Sequence, residues 1–283
     1  MKICNQIHQI KIDFNITEDI KRYVYAYLIT GTSCYLIDSG VSGSEGIIKE
    51  YMAGLGRDIE EIKTIFLTHS HPDHMGGAAA IQELSGCQIT AGRGERKWME
   101  DVGCQFKERP IPGFNNLLNR SVAIDNLVSD DVVFSLEEGV TINALETPGH
   151  SAGSVSYVLQ SPGSVVAFIG DVVPAPGDVP IFIEPQQSID SIKKLIHLPK
   201  IQWYCPAWDK AYTAAEFSQS AGEGISIIEK ITEAAEQISR EYFDRGAEEQ
   251  VAFVIQRLGV EQAKVNPLFK SSILSCLQMN NRK

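Results

Sequence analysis

One run of six residues restricts the fold more than any other feature of this sequence, because four of its members can bind a metal ion. The run is His69-Ser70-His71-Pro72-Asp73-His74, and it follows residues 64–67, an apolar stretch that we predict to be a β-strand. Residues two apart at the end of a strand share a face, so His69 and His71 can point in the same direction. Pro72 then turns the chain and directs the aspartate and the last histidine toward a following helix. The run therefore predicts a strand, a ligand-bearing turn and a helix.

The remaining histidines make a chance origin for this run implausible. The chain has six histidines; three lie in the run, and a fourth, His150, closes the motif Thr147-Pro148-Gly149-His150. A single histidine such as His8 or His197 is ordinarily a surface or core residue. Imidazole nitrogens and carboxylate oxygens together suit Zn²⁺, Fe²⁺ or Mn²⁺. Two such ions about 3.5–4 Å apart can share a hydroxide nucleophile.

The motifs occur in an order that resembles the metallo-β-lactamase superfamily, above all its glyoxalase II-like thioester and ester hydrolases. The resemblance covers residues 5–212 and rests on four runs: Leu36-Ile37-Asp38-Ser39-Gly40, residues 68–77, residues 147–154 and Phe168-Ile169-Gly170-Asp171. It implies an α/β fold, a four-layer αββα sandwich, over residues 1–212. Residues 213–283 are expected to form a C-terminal helical extension.

The resemblance also implies a role for each ligand. A first metal ion is expected to bind three histidines and an aspartate that bridges to a second ion: His69, His71, His150 and Asp171. Asp73 and His74 are expected to bind the second ion, and Asp73 is expected to be the catalytic residue that orients the attacking hydroxide and helps to protonate the leaving group. Asp38 is expected either to hold the ligand loop from behind or to cap a turn. The implied cofactor is one or two Zn²⁺, with Fe²⁺ or Mn²⁺ as alternatives.

The sequence departs from the family pattern at its last motif. A histidine is expected there, after the last strand of the body, but Trp208 occupies its position in Tyr204-Cys205-Pro206-Ala207-Trp208-Asp209. Indole cannot bind a metal ion, whereas the neighbouring Asp209 can supply an oxygen. Three outcomes stay open: Asp209 completes a two-metal site, the protein is a single-metal enzyme, or it is a degenerate binding relative. In a purely structural alternative, Trp208 packs against the core and Asp209 caps a turn.

The functional hypothesis is a metal-dependent hydrolase in which a metal-bound hydroxide attacks the carbonyl of a thioester, ester or lactone. One alternative is a mono-iron persulfide dioxygenase, for which His69, His150 and Asp171 would suffice; another is a non-catalytic metal-binding relative. A serine hydrolase is a third, because Gly149-His150-Ser151-Ala152-Gly153 matches G-x-S-x-G. That motif needs a following helix, and residues 154–159 alternate like a strand.

Composition limits the classes of partner and the cellular compartment that we expect. The formal net charge is −11, which argues against a nucleic-acid partner, and no apolar stretch approaches the roughly 18 residues of a membrane span. Residues 1–16 have no apolar core of a secretory signal. The six cysteines are scattered without a C-x-x-C pair, as in reduced intracellular proteins. We therefore expect a cytoplasmic enzyme with a small-molecule substrate.

Two further segments carry predictions. Residues 92–131 have weak periodicity, and we predict a long connection with one short helix, either a functional lid or a flexible segment. Trp98, Phe106 and Phe114 are candidates to line the substrate pocket or to pack. From about residue 214 a helical stripe of apolar residues predicts helices that form a pocket wall or the surface of a homodimer.

Overall fold

The computed structural model describes residues 1–4, 6–18 and 20–280. Its internal contacts divide the chain into two units, each built from several segments. The first unit comprises Met1–Glu146, Gly153–Gly170 and Ile201–Ala211. The second unit comprises Thr147–Ala152, Asp171–Lys200 and Tyr212–Lys283.

Seven strands form the first sheet of the first unit, and their order in the sheet follows the chain. The first four strands pair antiparallel, and β4 to β7 pair parallel. The strands are β1 (Lys2–Cys4), β2 (Ile7–Asn15), β3 (Lys21–Thr30), β4 (Cys34–Ile37), β5 (Ile62–Leu67), β6 (Gln88–Gly92) and β7 (Asn126–Val128).

The second sheet contains β8 (Val132–Glu137), β9 (Val140–Glu146), β10 (Val155–Ser161), β11 (Ser164–Gly170) and β12 (Trp203–Pro206). Successive strands from β8 to β11 pair antiparallel, and β12 joins β11 in parallel. A two-residue strand, β13 (Tyr212–Thr213), precedes the C-terminal helices.

The helices of the first unit are α1 (Ser44–Gly54), α2 (Pro72–Met75), α3 (Ala78–Ser85), α4 (Arg96–Glu100), α5 (Val102–Glu108) and α6 (Phe114–Leu117). Those of the second unit are α7 (Pro185–Ile196), α8 (Ala214–Glu241), α9 (Ala247–Leu258) and α10 (Pro267–Asn280). Short 3₁₀ helices span Ile59–Glu61, Arg93–Glu95 and Gln262–Lys264. In the described part of the chain, no helix has the length and apolarity to cross a membrane.

The alternation of side chains in the central strands builds two separate cores in the first unit. In β3, Val24 and Leu28 pack in a core with α1 and α3, whereas Tyr27 packs in a second core between the sheets. Aromatic rings from facing strands meet in that second core, with the centroids of Phe66 and Tyr157 5.3 Å apart. Because both faces of these strands are buried, their positions are fixed from two sides.

Most of the predicted elements are present. The strand at 64–67, the helix after the histidine run, the strand at 154–159 and the helices beyond residue 214 are confirmed. The prediction for 92–131 was wrong, because this segment contains α4, α5, α6 and β7. Its helices are only four to seven residues long, too short to show a helical period in the sequence. The strand β2 was also missed.

Candidate metal centre

The site begins where two parallel neighbours, β4 and β5, end side by side. Asp38 follows β4 with a φ of 57°, a backbone conformation that is costly for a residue other than glycine. One carboxylate oxygen, Oδ1, accepts a hydrogen bond from the Thr68 amide at 2.7 Å. The other, Oδ2, accepts one from the Thr68 hydroxyl at 2.8 Å. Asp38 is 3% exposed and holds the start of the histidine run, which decides between its two expected roles.

The same carboxylate sets the orientation of two histidines. The Thr68 hydroxyl gives its single proton to Asp38, so it accepts the proton on His69 Nδ1, 2.9 Å away. His74 Nδ1 lies 2.8 Å from Asp38 Oδ2 and donates to it. Each ring therefore carries its proton on Nδ1 and has a lone pair on Nε2, the arrangement that metal-binding histidines have.

The turn brings the side chains of the run together. His71 is extended (φ −63°, ψ 146°), and the following proline begins α2. The ring centroid of His69 lies 4.4 Å from that of His71 and 4.0 Å from that of His74. Asp73 Oδ2 is 3.6 Å from His74 Nε2. The three rings are buried, and the aspartate is partly exposed.

His150 and Asp171 follow two strands of the second sheet, β9 and β11. His150 Nδ1 donates to the carbonyl oxygen of Ile181 at 2.8 Å, and His150 Nε2 lies 3.5 Å from Asp171 Oδ2. The preceding Gly149 has a φ of 129°, and a Cβ there would lie 2.3 Å from the backbone nitrogen of Ser188. Only glycine fits this position, which explains the glycine directly before the histidine.

Four of the predicted ligands form one group. His69, His71, His150 and Asp171 each offer one ligand atom, and these atoms all lie within 4.8 Å of one another. Two ligands about 2.1 Å from one ion would lie at most about 4.2 Å apart, so small side-chain rotations bring the set into range. Imidazole nitrogens with one carboxylate oxygen are the donors that zinc and related ions prefer. The residues present fit a metal ion.

The remaining predicted ligands are not in this group, as far as the described residues go. Asp73 and His74 adjoin it through the turn. The Asp209 carboxylate accepts a hydrogen bond from the Lys210 amide at 2.7 Å. The ring of Trp208 packs on Phe14 and Tyr23, with centroids 6.4 and 6.3 Å away. The indole therefore has a packing role at this position, and Asp209 as a metal ligand stays a prediction.

Sequence reasoning missed two polar side chains that touch the histidine run. Glu95 and Gln105 both hydrogen-bond to the backbone of Ser70. They lie in the segment that was predicted to be a loose connection, and neither forms a motif. The aromatic candidates of that segment differ from one another: Phe114 is buried in the core at 1% exposure, whereas Phe106 is 43% exposed.

The fold argues against the serine hydrolase that the G-x-S-x-G motif suggested. The nucleophile elbow needs a helix directly after the serine, but the chain continues from Ser151 into the strand β10. Ser151 is also 1% exposed.

Sequence comparisons agree with the geometry. A profile described as the metallo-beta-lactamase superfamily matches residues 20–200. The "probable metallo-hydrolase YybB" of Bacillus subtilis strain 168 is 29% identical over 153 residues, 53% of this chain and 63% of the relative. A hydroxyacylglutathione hydrolase of Buchnera aphidicola subsp. Schizaphis graminum is 27% identical over 198 residues, 70% of this chain and 66% of the relative. The matches thus span less than two thirds of either relative.

Structural comparisons identify the fold. A metallo-beta-lactamase family protein from Thermus thermophilus superimposes with a TM-score of 0.78 at 17% identity, covering 99% of this chain and 95% of the other. A class B3 di-zinc metallo-beta-lactamase from an Alaskan soil metagenome gives a TM-score of 0.59 at 18% identity, covering 77% and 92%. The expected α/β sandwich is confirmed.

Proposed function

Because the chain belongs to the metallo-β-lactamase superfamily, we propose that it is a metal-dependent hydrolase that cleaves a thioester, an ester or a lactone. The observation that carries this proposal is the convergence of three imidazoles and one carboxylate within 4.8 Å. Several of its relatives carry the name hydroxyacylglutathione hydrolase, which supports a thioester within this range.

A bound metal ion supplies two things to such a reaction, a water whose pKa falls toward about 7 and a charge that polarises the carbonyl. The chain's own residues do the rest. Asp38 and Thr68 keep the proton of His69 on Nδ1, so this ring stays oriented as a ligand through the reaction. Asp73 is partly exposed, and its carboxylate lies 3.6 Å from His74 Nε2. We assign to it the transfer of a proton from the attacking water to the leaving group.

We also propose that Zn²⁺ is the natural metal and that a second ion binds Asp73, His74 and Asp209. The support is the shared orientation of His69 and His74, both of which donate Nδ1 protons to the Asp38–Thr68 pair. Elemental analysis of the purified protein tests this proposal. Two metals per chain are expected, falling to one in Asp209→Ala. If the wild type and the variant both bind one metal ion per chain, Asp209 is not a metal ligand.

The test of the hydrolase itself uses His71→Ala and Asp171→Ala. Each variant is expected to lose metal and thioesterase activity while its circular dichroism spectrum stays unchanged, because the side chains lie at loop positions beyond the strand ends. His197→Ala is the matched control, since that histidine is exposed and its ring bonds within its own helix end. Full activity in either ligand variant refutes the proposal.

A second candidate is a mono-iron persulfide dioxygenase, favoured by the packed indole of Trp208 where a further histidine is expected. Iron in the purified protein and oxygen consumption with a persulfide would select it over the hydrolase, and metal without either activity would indicate a binding relative.

We further propose a cytoplasmic protein that acts on a small molecule rather than on nucleic acid or a membrane. Its six cysteines form no disulfide in the described structure, which supports a reducing compartment.

A further inference from the structure

Ser70 separates the two histidines His69 and His71, so two peptide groups join these ligands. Both peptide groups are held by side chains from outside the run. The amide of Ser70, which belongs to the first peptide, donates to Glu95 Oε2 at 3.1 Å. The carbonyl of Ser70, which belongs to the second, accepts from Gln105 Nε2 at 2.7 Å. Rotation of either peptide would turn a histidine away from its present direction.

Burial makes these two contacts strong. Glu95 is 5% exposed and Gln105 is 0% exposed. A buried carboxylate is costly unless it accepts hydrogen bonds, and a bond to a charged acceptor is about twice as strong as a neutral one. Both side chains are buried, and each forms a hydrogen bond with the backbone of Ser70.

The backbone at Glu95 is also held in place, because it packs closely against Gly153. Glu95 ends the 3₁₀ helix Arg93–Glu95, and a Cβ on Gly153 would lie 2.8 Å from its nitrogen and 2.9 Å from its Cγ. A Cβ on Gly92 would lie 2.2 Å from the carbonyl oxygen of Gly153. The segment therefore packs directly on the glycine three residues after His150.

Gln105 is held by its helix. It lies in α5, whose N-cap Asp101 accepts a hydrogen bond from the Cys104 amide at 2.9 Å. In the described structure its Oε1 is buried without a hydrogen-bond partner. The contact with Ser70 through Nε2 is thus the polar interaction that this side chain makes.

We propose that Glu95 and Gln105 are positioning residues for the first metal ion: they fix the two peptides between His69 and His71 and so aim both imidazoles. This inference rests on the metal site of the proposed function. Neither residue touches substrate or metal. Their effect should be on metal affinity and on the ligand geometry, which can be measured without turnover.

The experiment is a titration of the chelator-treated, full-length protein with Zn²⁺ and with Co²⁺. Groups that orient metal ligands typically contribute about 10–100-fold to metal affinity, and we expect a loss of this size in Glu95→Ala and in Gln105→Ala. The Co²⁺ absorption bands should shift in both variants, because they report the angles between ligands. Glu100→Gln is the matched control, since Glu100 is an exposed residue of the same segment that pairs with Arg96.

Two shape-preserving variants separate hydrogen bonding from packing. Glu95→Gln should restore most of the affinity, because the amide oxygen can still accept from the Ser70 amide. Gln105→Met should not restore it, because a thioether cannot donate to the Ser70 carbonyl. A packing role would predict that both variants behave like the wild type. If an alanine variant fails to fold, these two variants still test whether the hydrogen bonds to Ser70 position the histidines.

The outcomes are distinct. A wild-type protein that binds neither ion refutes the proposed function. A wild type that binds Zn²⁺ while Gln105→Met and both alanine variants bind it equally well, with unchanged Co²⁺ spectra, overturns the positioning role alone.

Discussion

The hydroxyl of Thr68 connects the buried carboxylate of Asp38 to the ring of His69, and Thr68→Val removes it with little change of shape. The bond to Asp38 has a charged acceptor, and such bonds contribute about 1.5–3 kcal/mol. Loss of the Thr68 acceptor for the buried His69 Nδ1–H adds a cost of about 1–3 kcal/mol. Because the two effects share one hydroxyl and overlap, we expect a loss of about 3 kcal/mol in the free energy of unfolding.

Thr68→Ser is the matched control for this prediction. It keeps the hydroxyl and loses one methyl group, which costs about 1 kcal/mol in a core. Denaturant unfolding of the metal-free proteins should therefore rank wild type, Ser and Val in that order, with the larger step to Val.

The same pair of variants tests the orientation of the histidine. Without the hydroxyl, His69 Nδ1 loses the acceptor that Thr68 supplies, so we expect Zn²⁺ to bind about 10–100-fold more weakly in the valine variant and almost normally in the serine variant. A competition titration against a chromophoric chelator measures this difference. Equal Zn²⁺ affinity in the two variants, or a valine variant as stable as the serine variant, would refute the reasoning.

Other expectations follow from individual contacts. Ser151→Ala should retain activity that a chelator removes; loss of activity with metal still bound would contradict the assignment. Gly76→Ala should cost about 3 kcal/mol or more in thermal unfolding, since its Cβ would lie 2.2 Å from a backbone oxygen of α6, and an unchanged melting temperature would speak against that packing. Burial raises the pKa of Cys34 and Cys276 from about 9 to about 11, so the unfolded chain loses these protons first and the melting temperature should fall between pH 9 and 11. If the C-terminal helices pair in a homodimer, Phe243→Asp, at a residue 83% exposed, should lower the mass in light scattering; a wild-type monomer would end that proposal.

The sequence determined the metal centre to the extent that its ligands are close in the chain. Strand, turn and proline spacing are local properties, so His69 and His71 could be predicted to share a direction, and their rings are 4.4 Å apart. Gly149 beside His150 was recognisable for a similar reason, because a motif of four residues contains both. The strand at 154–159 was predictable from its period of two, and it corresponds to β10.

Only the tertiary structure decided what surrounds these ligands. Glu95 and Gln105 lie 25 and 35 residues from the serine that they hold, and in the sequence they look like ordinary polar residues of a loop. Trp208 stands where a histidine was expected, and only its packing on Phe14 and Tyr23 shows that it serves the core. The physical reason is the same in each case: a ligand pair on one turn is fixed by backbone geometry, whereas a hydrogen bond across the fold depends on the path of every segment between its two ends.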